Sequence, residues 1–285
     1  MQQCWMTNDW LERRVLNYAH QGGAREAPSS TLHAFRRACA VGAHALEMDV
    51  HCTIDGVLVV CHDATVDRTT AASGRIAELT MAQLSELDNA YWWVPGEEAV
   101  QDRVDAEYEL RGRAPHDRTL GVATLAEVLD EFRHVYLNLD IKGIPPHVEA
   151  YESKLADLLR TYDRVDDVIV ASFHDEALHR FRVAAPEIAT SFALMESIHV
   201  GQALRNGTPV DKAGGQVALQ VPHRLHGVEV VDPNLVEQAH RSGLAVHVWT
   251  IDDRVEMAEL LAMGVDAIIT DVPSVLAAVL TEQGV

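Results

Sequence analysis

Short apolar runs bounded by polar turns alternate along the whole chain with stretches whose apolar residues recur every three or four positions. The runs VLNYAH (15–20), HALEMDV (44–50), VLVVCHD (57–63), HVYLNLDIK (134–142), DVIVASF (167–173), EIATSFAL (187–194), QVALQVP (216–222), LAVHVWT (244–250) and VDAIIT (265–270) have the length and β-branched content of strands. Helical periodicity fills most of the gaps between them, notably over 125–133, 150–162, 234–242 and 254–263. After the first strand, STLHAFRRACAVGA reads as a helix with Ser29 or Ser30 as N-cap and Gly42 closing it. Strands alternating with helices are the pattern of a parallel sheet with crossover connections.

If VLVVCHD is a hairpin arm on HALEMDV, eight main strands remain, the number that closes a TIM (β/α)8 barrel. The α/β alternative is an open doubly wound sheet. Its dinucleotide fingerprint is missing, because GGAREA lacks the glycine spacing. A length of 285 residues suits one barrel domain over 1–285. One stretch breaks the rhythm: residues 71–121 form an insertion after the second strand, aromatic at Tyr91, Trp92 and Trp93 and then strongly charged. Either it is a solvated excursion or its aromatic residues cover a substrate.

Charge narrows the choice of partner. With 23 Lys and Arg against 43 Asp and Glu the net charge is −20, which opposes binding to nucleic acid and to anionic membrane surfaces. No apolar run reaches bilayer-spanning length, so integral membrane association is not expected. The N-terminal segment does not read as a secretory signal, which makes a cytoplasmic location the expectation. Cys4, Cys39, Cys52 and Cys61 lack metal-type spacing and are expected as reduced thiols.

Strand alternation then locates the chemistry. In LEMDV, Glu47 and Asp49 share one face while Leu46, Met48 and Val50 take the other. Two carboxylates on one buried face need a cation, a proton or an arginine between them. NLDIK repeats the arrangement with Asp140 and Lys142. Barrel strands end at a common rim, so Glu47, Asp49 and Asp140 are expected to bind a divalent cation, Mg2+ or Ca2+ rather than zinc, with Lys142 offsetting the charge of an anion beside it. His20 and His62 each stand at a strand end, a pair suited to acid–base cleavage of a phosphate ester. Trp249 closes a strand and is expected as a wall of the substrate pocket. Ser172, Phe173 and Gln220 have similar rim positions, and His51 is expected just beyond its strand. No GxSxG elbow supports a serine hydrolase.

These residues also carry a resemblance. AHQGG, APSST, LEMDVHCTIDG and VVCHDATVDRTT, followed in order by TLAEVL, NLDIK, VHVWTIDD and GVDAIITD, resemble the glycerophosphodiester phosphodiesterase family across nearly the whole chain. The resemblance implies a TIM barrel with a small insertion after the second strand. It further implies His20 and His62 as the acid–base pair, Glu47, Asp49 and Asp140 as metal ligands, and Lys142 on the phosphate. Gln21 stands where the family usually has Arg, keeping a phosphate donor without its charge. Ser29-Ser30 replaces Glu-Asn, and Asp140 is one methylene shorter than the usual Glu.

The function expected is metal-dependent hydrolysis of a small phosphodiester, a glycerophosphodiester, to an alcohol and glycerol 3-phosphate. A second expectation is lysophospholipase D action on a lysophospholipid, since AYWWVPGE and LQVP resemble that branch and an apolar insertion could shelter a chain. A third, prompted by Gln21 and Ser29-Ser30, is a catalytically weak ligand-binding barrel.

Overall fold

The computed structural model describes residues 8–145, 148–212 and 214–285; Cys4 lies outside them. In chain order the strands are β1 (Leu16–His20), β2 (Ala45–Cys52), β3 (Leu58–Val60), β4 (Tyr136–Ile141), β5 (Val168–Ala171), β6 (Ala189–Ser191), β7 (Gln216–Pro222), β8 (Arg224–Leu225), β9 (Val228–Glu229), β10 (Ala245–Trp249) and β11 (Ala267–Thr270). The helices are α1 (Asp9–Glu12), α2 (Leu32–Ala40), α3 (Met81–Ser85), α4 (Leu125–Glu131), α5 (Glu152–Thr161), α6 (Asp175–Ala184), α7 (Leu194–Asn206), α8 (Pro233–Arg241), α9 (Arg254–Met263) and α10 (Pro273–Gln283).

Eight strands, β1, β2, β4, β5, β6, β7, β10 and β11, pair in parallel in that circular order, and β1 hydrogen-bonds to both β2 and β11. The sheet therefore closes into the expected TIM (β/α)8 barrel. β3 is the hairpin arm, antiparallel to β2. The alternation read from LEMDV holds. Leu46, Met48 and Val50 pack outward against the helical shell, in a cluster that includes Leu125, Leu129, Leu155 and Phe181. Inward positions are mostly small or aromatic lower in the barrel, where Leu16, Tyr18, Ala45, Ala218, Ala245 and Ala267 form the inner core. Toward the carboxyl ends of the strands they become polar. The opposite end is stoppered by α1, whose Trp10 meets the Tyr136 ring at 5.5 Å, while Asn8 donates to the carbonyls of Val217 and Gly243.

Three local expectations are corrected. The N-cap of α2 is Thr31, not Ser29 or Ser30. Its Oγ1 accepts from Ala34 N, and its backbone is extended as a cap must be. Ser30 is held instead at φ +59°, a left-handed turn in which its N–H reaches Gln21 O, so it cannot also begin the helix. The run EIATSFAL is strand only over Ala189–Ser191. The Asp175 carboxylate takes the N–H groups of Met195 and Glu196, and Glu196 takes that of Ala193, so the chain turns into α7 at Leu194. His51 lies within β2 rather than beyond it, because pairing with β3 extends the strand to Cys52. It is buried, and its Nε2–H donates to the His62 carbonyl.

Residues 71–121 pack beside the β1–α2 connection. Trp93 donates its indole N–H to Ala24 O and Trp92 to Thr70 O. The Arg111 guanidinium lies over Tyr108 at 3.5 Å, Tyr91 at 4.4 Å and Trp92 at 4.6 Å. The aromatic residues thus form the interior of this stretch. Cys39, Cys52 and Cys61 are free thiols.

Candidate active site

A cleft of about 590 Å³ opens at the carboxyl ends of the strands, where catalytic groups of such barrels gather. One end is lined by His20, Glu47, Asp49, His62, Asp140 and Lys142. Strand register brings these together. His20 on β1 is level with Glu47 on β2, Glu47 is level with Asn138 on β4, and Asp49 is level with Asp140. Asp49 and Asp140 are 1% and 7% exposed, so their repulsion is not relieved by water. Lys142, one inward position beyond Asp140, relieves it. Its Nζ lies 2.7 Å from Asp49 Oδ1 and 2.8 Å from Asp140 Oδ2. Burial opposes the ammonium charge, but Asp140 and Asp49 outweigh it and hold the lysine firmly protonated.

One ammonium cannot satisfy this cluster. Asp49 Oδ2 and Asp140 Oδ1 are buried without a hydrogen-bond partner. Glu47 is also buried, and burial together with the Asp49 charge pushes its carboxyl up to about 7. Its Oε2 accepts only the Gln21 N–H at 3.1 Å and lies 3.8 Å from His20 Nε2. Among the described residues, no three His, Cys, Asp or Glu side chains are closed into a cation-sized cage. The donor set still fits a hard divalent cation: it is all oxygen, and it holds two orphaned carboxylate oxygens and a carboxyl that burial keeps from ionising.

The two histidines are built alike. His20 Nδ1 donates to Asp271 Oδ1 at 2.7 Å, and His62 Nδ1 donates to Asp63 Oδ1 at 2.7 Å. Each Nδ1 is therefore committed to a carboxylate, which leaves Nε2 as the nitrogen that can exchange a proton with substrate, although that of His20 also has the Gln21 carboxamide at 3.1 Å. The rings face edge to plane with centroids 6.5 Å apart. Burial disfavours a charged His20, but the Asp271 hydrogen bond and the charges of Glu47, Asp271 and Asp49 outweigh it and lift its pKa to about 9. For His62 the hydrogen bond to Asp63 raises the pKa against partial burial. Asp63, held by His62 and by Arg68 Nε at 2.6 Å, falls to about 2.

Gln21 is level with this site but behind it. Its Nε2 is 3.1 Å from His20 Nε2, its Oε1 is buried without a partner, and its side chain is not among those lining the cleft. When His20 is charged, turning the carboxamide over presents Oε1 to the imidazolium Nε2–H. The backbone of Gln21 has φ +51°, the left-handed region that few residues other than glycine occupy. The tight turn after β1 is thus kept at a cost in strain, and it delivers the Gln21 N–H to Glu47.

Trp249 lines the cleft and packs edge to face on Phe173 at 5.7 Å, while Phe173 in turn lies 5.8 Å from Lys142 Nζ. Ser172 lines it too, although its hydroxyl donates to Ile141 O. Gln220 donates to Asn138 Oδ1 at 3.1 Å on the cleft floor. No residue of 71–121 lines the cleft, so the shelter for a chain expected there is absent. Asp271 and Asp63 were missed by strand-face reasoning. Asp63 is signalled by its place beside His62. Asp271 is signalled only by barrel closure, which sets Ala19 level with Thr270 and so His20 beside Asp271.

The model of the Glycerophosphoryl diester phosphodiesterase family matches residues 20–275. The chain is 30% identical over 268 residues to a glycerophosphodiester phosphodiesterase of Caldanaerobacter subterraneus subsp. tengcongensis, covering 92% of this chain and 96% of the relative. It is 27% identical to a glycerophosphodiester phosphodiesterase of Bacillus subtilis, covering 91% and 84%. Among solved structures, it resembles an Oleispira antarctica phosphodiesterase in complex with the product sn-glycerol-3-phosphate. That match has TM-score 0.70, 22% identity and coverage of 95% and 99%.

Proposed function

The chain belongs to the glycerophosphoryl diester phosphodiesterase family, and from that premise we propose that it hydrolyses glycerophosphodiesters to an alcohol and glycerol 3-phosphate by histidine acid–base catalysis with a divalent cation. The observation that carries the reading is the pair of imidazoles, each with Nδ1 anchored on a carboxylate, facing one another at 6.5 Å beside Glu47, Asp49, Asp140 and Lys142.

Glu47, Asp49 and Asp140 would hold the cation. Mg2+ or Ca2+ bound there supplies Lewis-acid polarisation of the phosphoryl oxygens. Lys142 offers its ammonium to the phosphate and keeps Asp49 and Asp140 from repelling. His20, the more strongly proton-binding imidazole, gives its Nε2 proton to the departing alkoxide as the P–O bond breaks. His62 takes the proton of the attacking hydroxyl, that of water in direct hydrolysis, as the new O–P bond forms, so the water oxygen stays on phosphorus while the alcohol leaves with the proton from His20. Trp249 and Phe173 bound the space beside the phosphate with apolar surface. The direct test is release of glycerol 3-phosphate from glycerophosphocholine with added Mg2+ or Ca2+, abolished by chelation. No cation-dependent turnover of any glycerophosphodiester would overturn the reading in favour of a ligand-binding barrel.

Asp271 acts as a positioning residue for His20. Asp271→Asn removes the charge that both orients the ring and raises its pKa, so kcat falls by about 10²-fold. In the metal-free protein, an NMR titration places the His20 pKa below the wild-type value of about 9. A loosened fold would also return the imidazole toward its ordinary value, so urea unfolding is measured alongside, and an unchanged midpoint assigns the shift to the lost carboxylate.

Glu47 gives cation binding a pH dependence of known sign. Its folded pKa of about 7 lies above the ordinary carboxyl value, so the folded metal-free protein retains a proton that the unfolded chain releases. Stability of the metal-free protein therefore declines as pH rises from the ordinary carboxyl range through about 7. A cation must displace that proton below pH 7. Affinity should rise with pH toward 7, by up to about tenfold per unit, and level off above it. Titration calorimetry in buffers of different ionisation enthalpy reads the proton released, and its absence at pH 6 would remove Glu47 from the ligand set.

A further inference from the structure

The insertion at 71–121 does not line the cleft, yet part of it grips both loops that anchor the two imidazoles. Residues 92–100 form a short tongue. Trp93 bridges to Ala99, Val100 N–H reaches Trp92 O at 2.8 Å, and the tip Val94-Pro95-Gly96-Glu97 closes with Glu97 N–H on Val94 O at 3.1 Å. Proline second and glycine third, with Gly96 at φ +82°, make this tip a type II turn. A Cβ on Gly96 would meet nothing within 4 Å, so glycine is needed there for its backbone freedom and not for space.

On one side the tip clasps Arg25. Gly96 N–H donates to Arg25 O at 2.9 Å, and Arg25 Nε–H returns a bond to Gly96 O at 3.0 Å. Arg25 in turn gives its own N–H to Asp271 O at 3.3 Å and sets its guanidinium 3.6 Å from Asp252, whose Oδ1 takes the Asp271 N–H at 2.8 Å. Arg25 and its partner Asp252 thus hold both backbone polar groups of the residue that anchors His20 Nδ1. On the other side the tongue holds the turn that carries Arg68. Trp92 donates to Thr70 O at 2.7 Å, Gln101 just beyond the tongue donates to Asp67 O at 3.1 Å, and Glu98 Oε2 accepts from Arg68 at 3.5 Å. Arg68 Nε is the second partner of Asp63, the carboxylate that anchors His62 Nδ1.

We propose that the tongue braces the acid–base pair from outside the cleft, with Arg25 and Arg68 as positioning residues: Arg25 for the Asp271–His20 pair and Arg68 for the Asp63–His62 pair. The inference rests on the phosphodiesterase reading above and gives the insertion a role in its proton transfers. Neither arginine lines the cleft, so substrate binding should not sense them. Both ion pairs are partly exposed, the side chains of Arg25 and Asp252 at 44% and 26% and those of Arg68 and Asp63 at 30% each, so losing either costs little stability. What the loss removes is the alignment of an imidazole, and misplacement by as little as about 1 Å is costly to a reaction step.

The test uses the different tasks of the two imidazoles. Choline leaves as an alkoxide that needs the His20 proton, whereas 4-nitrophenoxide is stable as an anion and departs without one; attack on phosphorus needs His62 in both cases. Steady-state assays with the cation present therefore compare glycerophosphocholine with the 4-nitrophenyl ester of glycerol 3-phosphate. Arg25→Ala should lower kcat for glycerophosphocholine by about tenfold and for the nitrophenyl ester by less than about twofold. Arg68→Met should lower both by about tenfold, and Arg68→Lys, which keeps a positive charge on Asp63, should recover part of that loss. Gly96→Val, which sets a β-branched side chain at a positive φ, opens the turn and should lower both, glycerophosphocholine more. KM should stay unchanged throughout, and the urea unfolding midpoints of the arginine variants should match wild type. Equal losses on the two esters for Arg25→Ala, a rise in KM with kcat kept, or full kcat in Gly96→Val overturns the brace, while wild-type turnover leaves the broader reading standing. No turnover of either ester by the wild-type protein overturns both.

Discussion

Replacing His20 by alanine lowers kcat for glycerophosphocholine by about 10²- to 10⁴-fold, with KM little changed. In the proposed mechanism the imidazole gives its proton to a poor leaving group, an alkoxide, and no other side chain at that position would serve. Gln21 at 3.1 Å is an amide, and Glu47 at 3.8 Å would be a ligand of the proposed cation. His62→Ala should give a loss of similar size, because the attacking hydroxyl then keeps its proton. The two losses should not multiply. Once one proton transfer is removed the concerted arrangement is broken, so the double variant stays near the slower single variant. Free imidazole should return part of the activity to either variant. A coupled assay of glycerol 3-phosphate release measures all of this, and His20→Ala turnover within tenfold of wild type would end the acid–base assignment.

The second large effect is on stability. Lys142→Met leaves Asp49 and Asp140, register partners on neighbouring strands, buried without the ammonium that contacts them both, and with only the more distant imidazole charge to offset them in the metal-free protein. Removing one partner of a buried charge cluster costs about 3–5 kcal/mol, and urea unfolding at pH 8 in chelator should show a loss of that order. Because the cost comes from forcing two carboxylates to remain ionised, it should shrink as pH falls and one of them takes a proton. The double variant Lys142→Met/Asp49→Asn should recover much of the loss, since the unpaired charge is gone. Excess divalent cation should recover part of it in the single variant. An unchanged unfolding midpoint at pH 8 would mean that solvent, and not Lys142, balances this pair.

The barrel was legible because alternation in LEMDV and NLDIK, the hairpin arm VLVVCHD and eight apolar runs all point to one closed parallel sheet. The same period of two assigned Glu47, Asp49, Asp140 and Lys142 to a single face, and the register then brought them level. What remained hidden depends on contacts distant in sequence. Asp271 reaches His20 only because the first and last barrel strands become neighbours. Thr31 displaced Ser30 as the helix cap because Ser30 was taken by the tight turn at Gln21. The tail of EIATSFAL became helix because Asp175 and Glu196 supply its cap, which no local propensity of Phe192-Ala193-Leu194 reveals. The aromatic run at Tyr91–Trp93 could be read either as part of a solvated excursion or as a cover for substrate, and Arg111 and the carbonyls of Thr70 and Ala24 instead give it partners of its own.

The pairing of β1 with β11 has a consequence for synthesis. His20 precedes its carboxylate partner Asp271 by 251 residues, so the ribosome must deliver every strand of the barrel before the imidazole is anchored. Until β11 emerges, the edges of β1 and β10 stay unpaired and sticky, and the nascent chain carries acidic groups without their finished surroundings. Catalytic competence therefore arrives in one late event and cannot accumulate gradually during elongation.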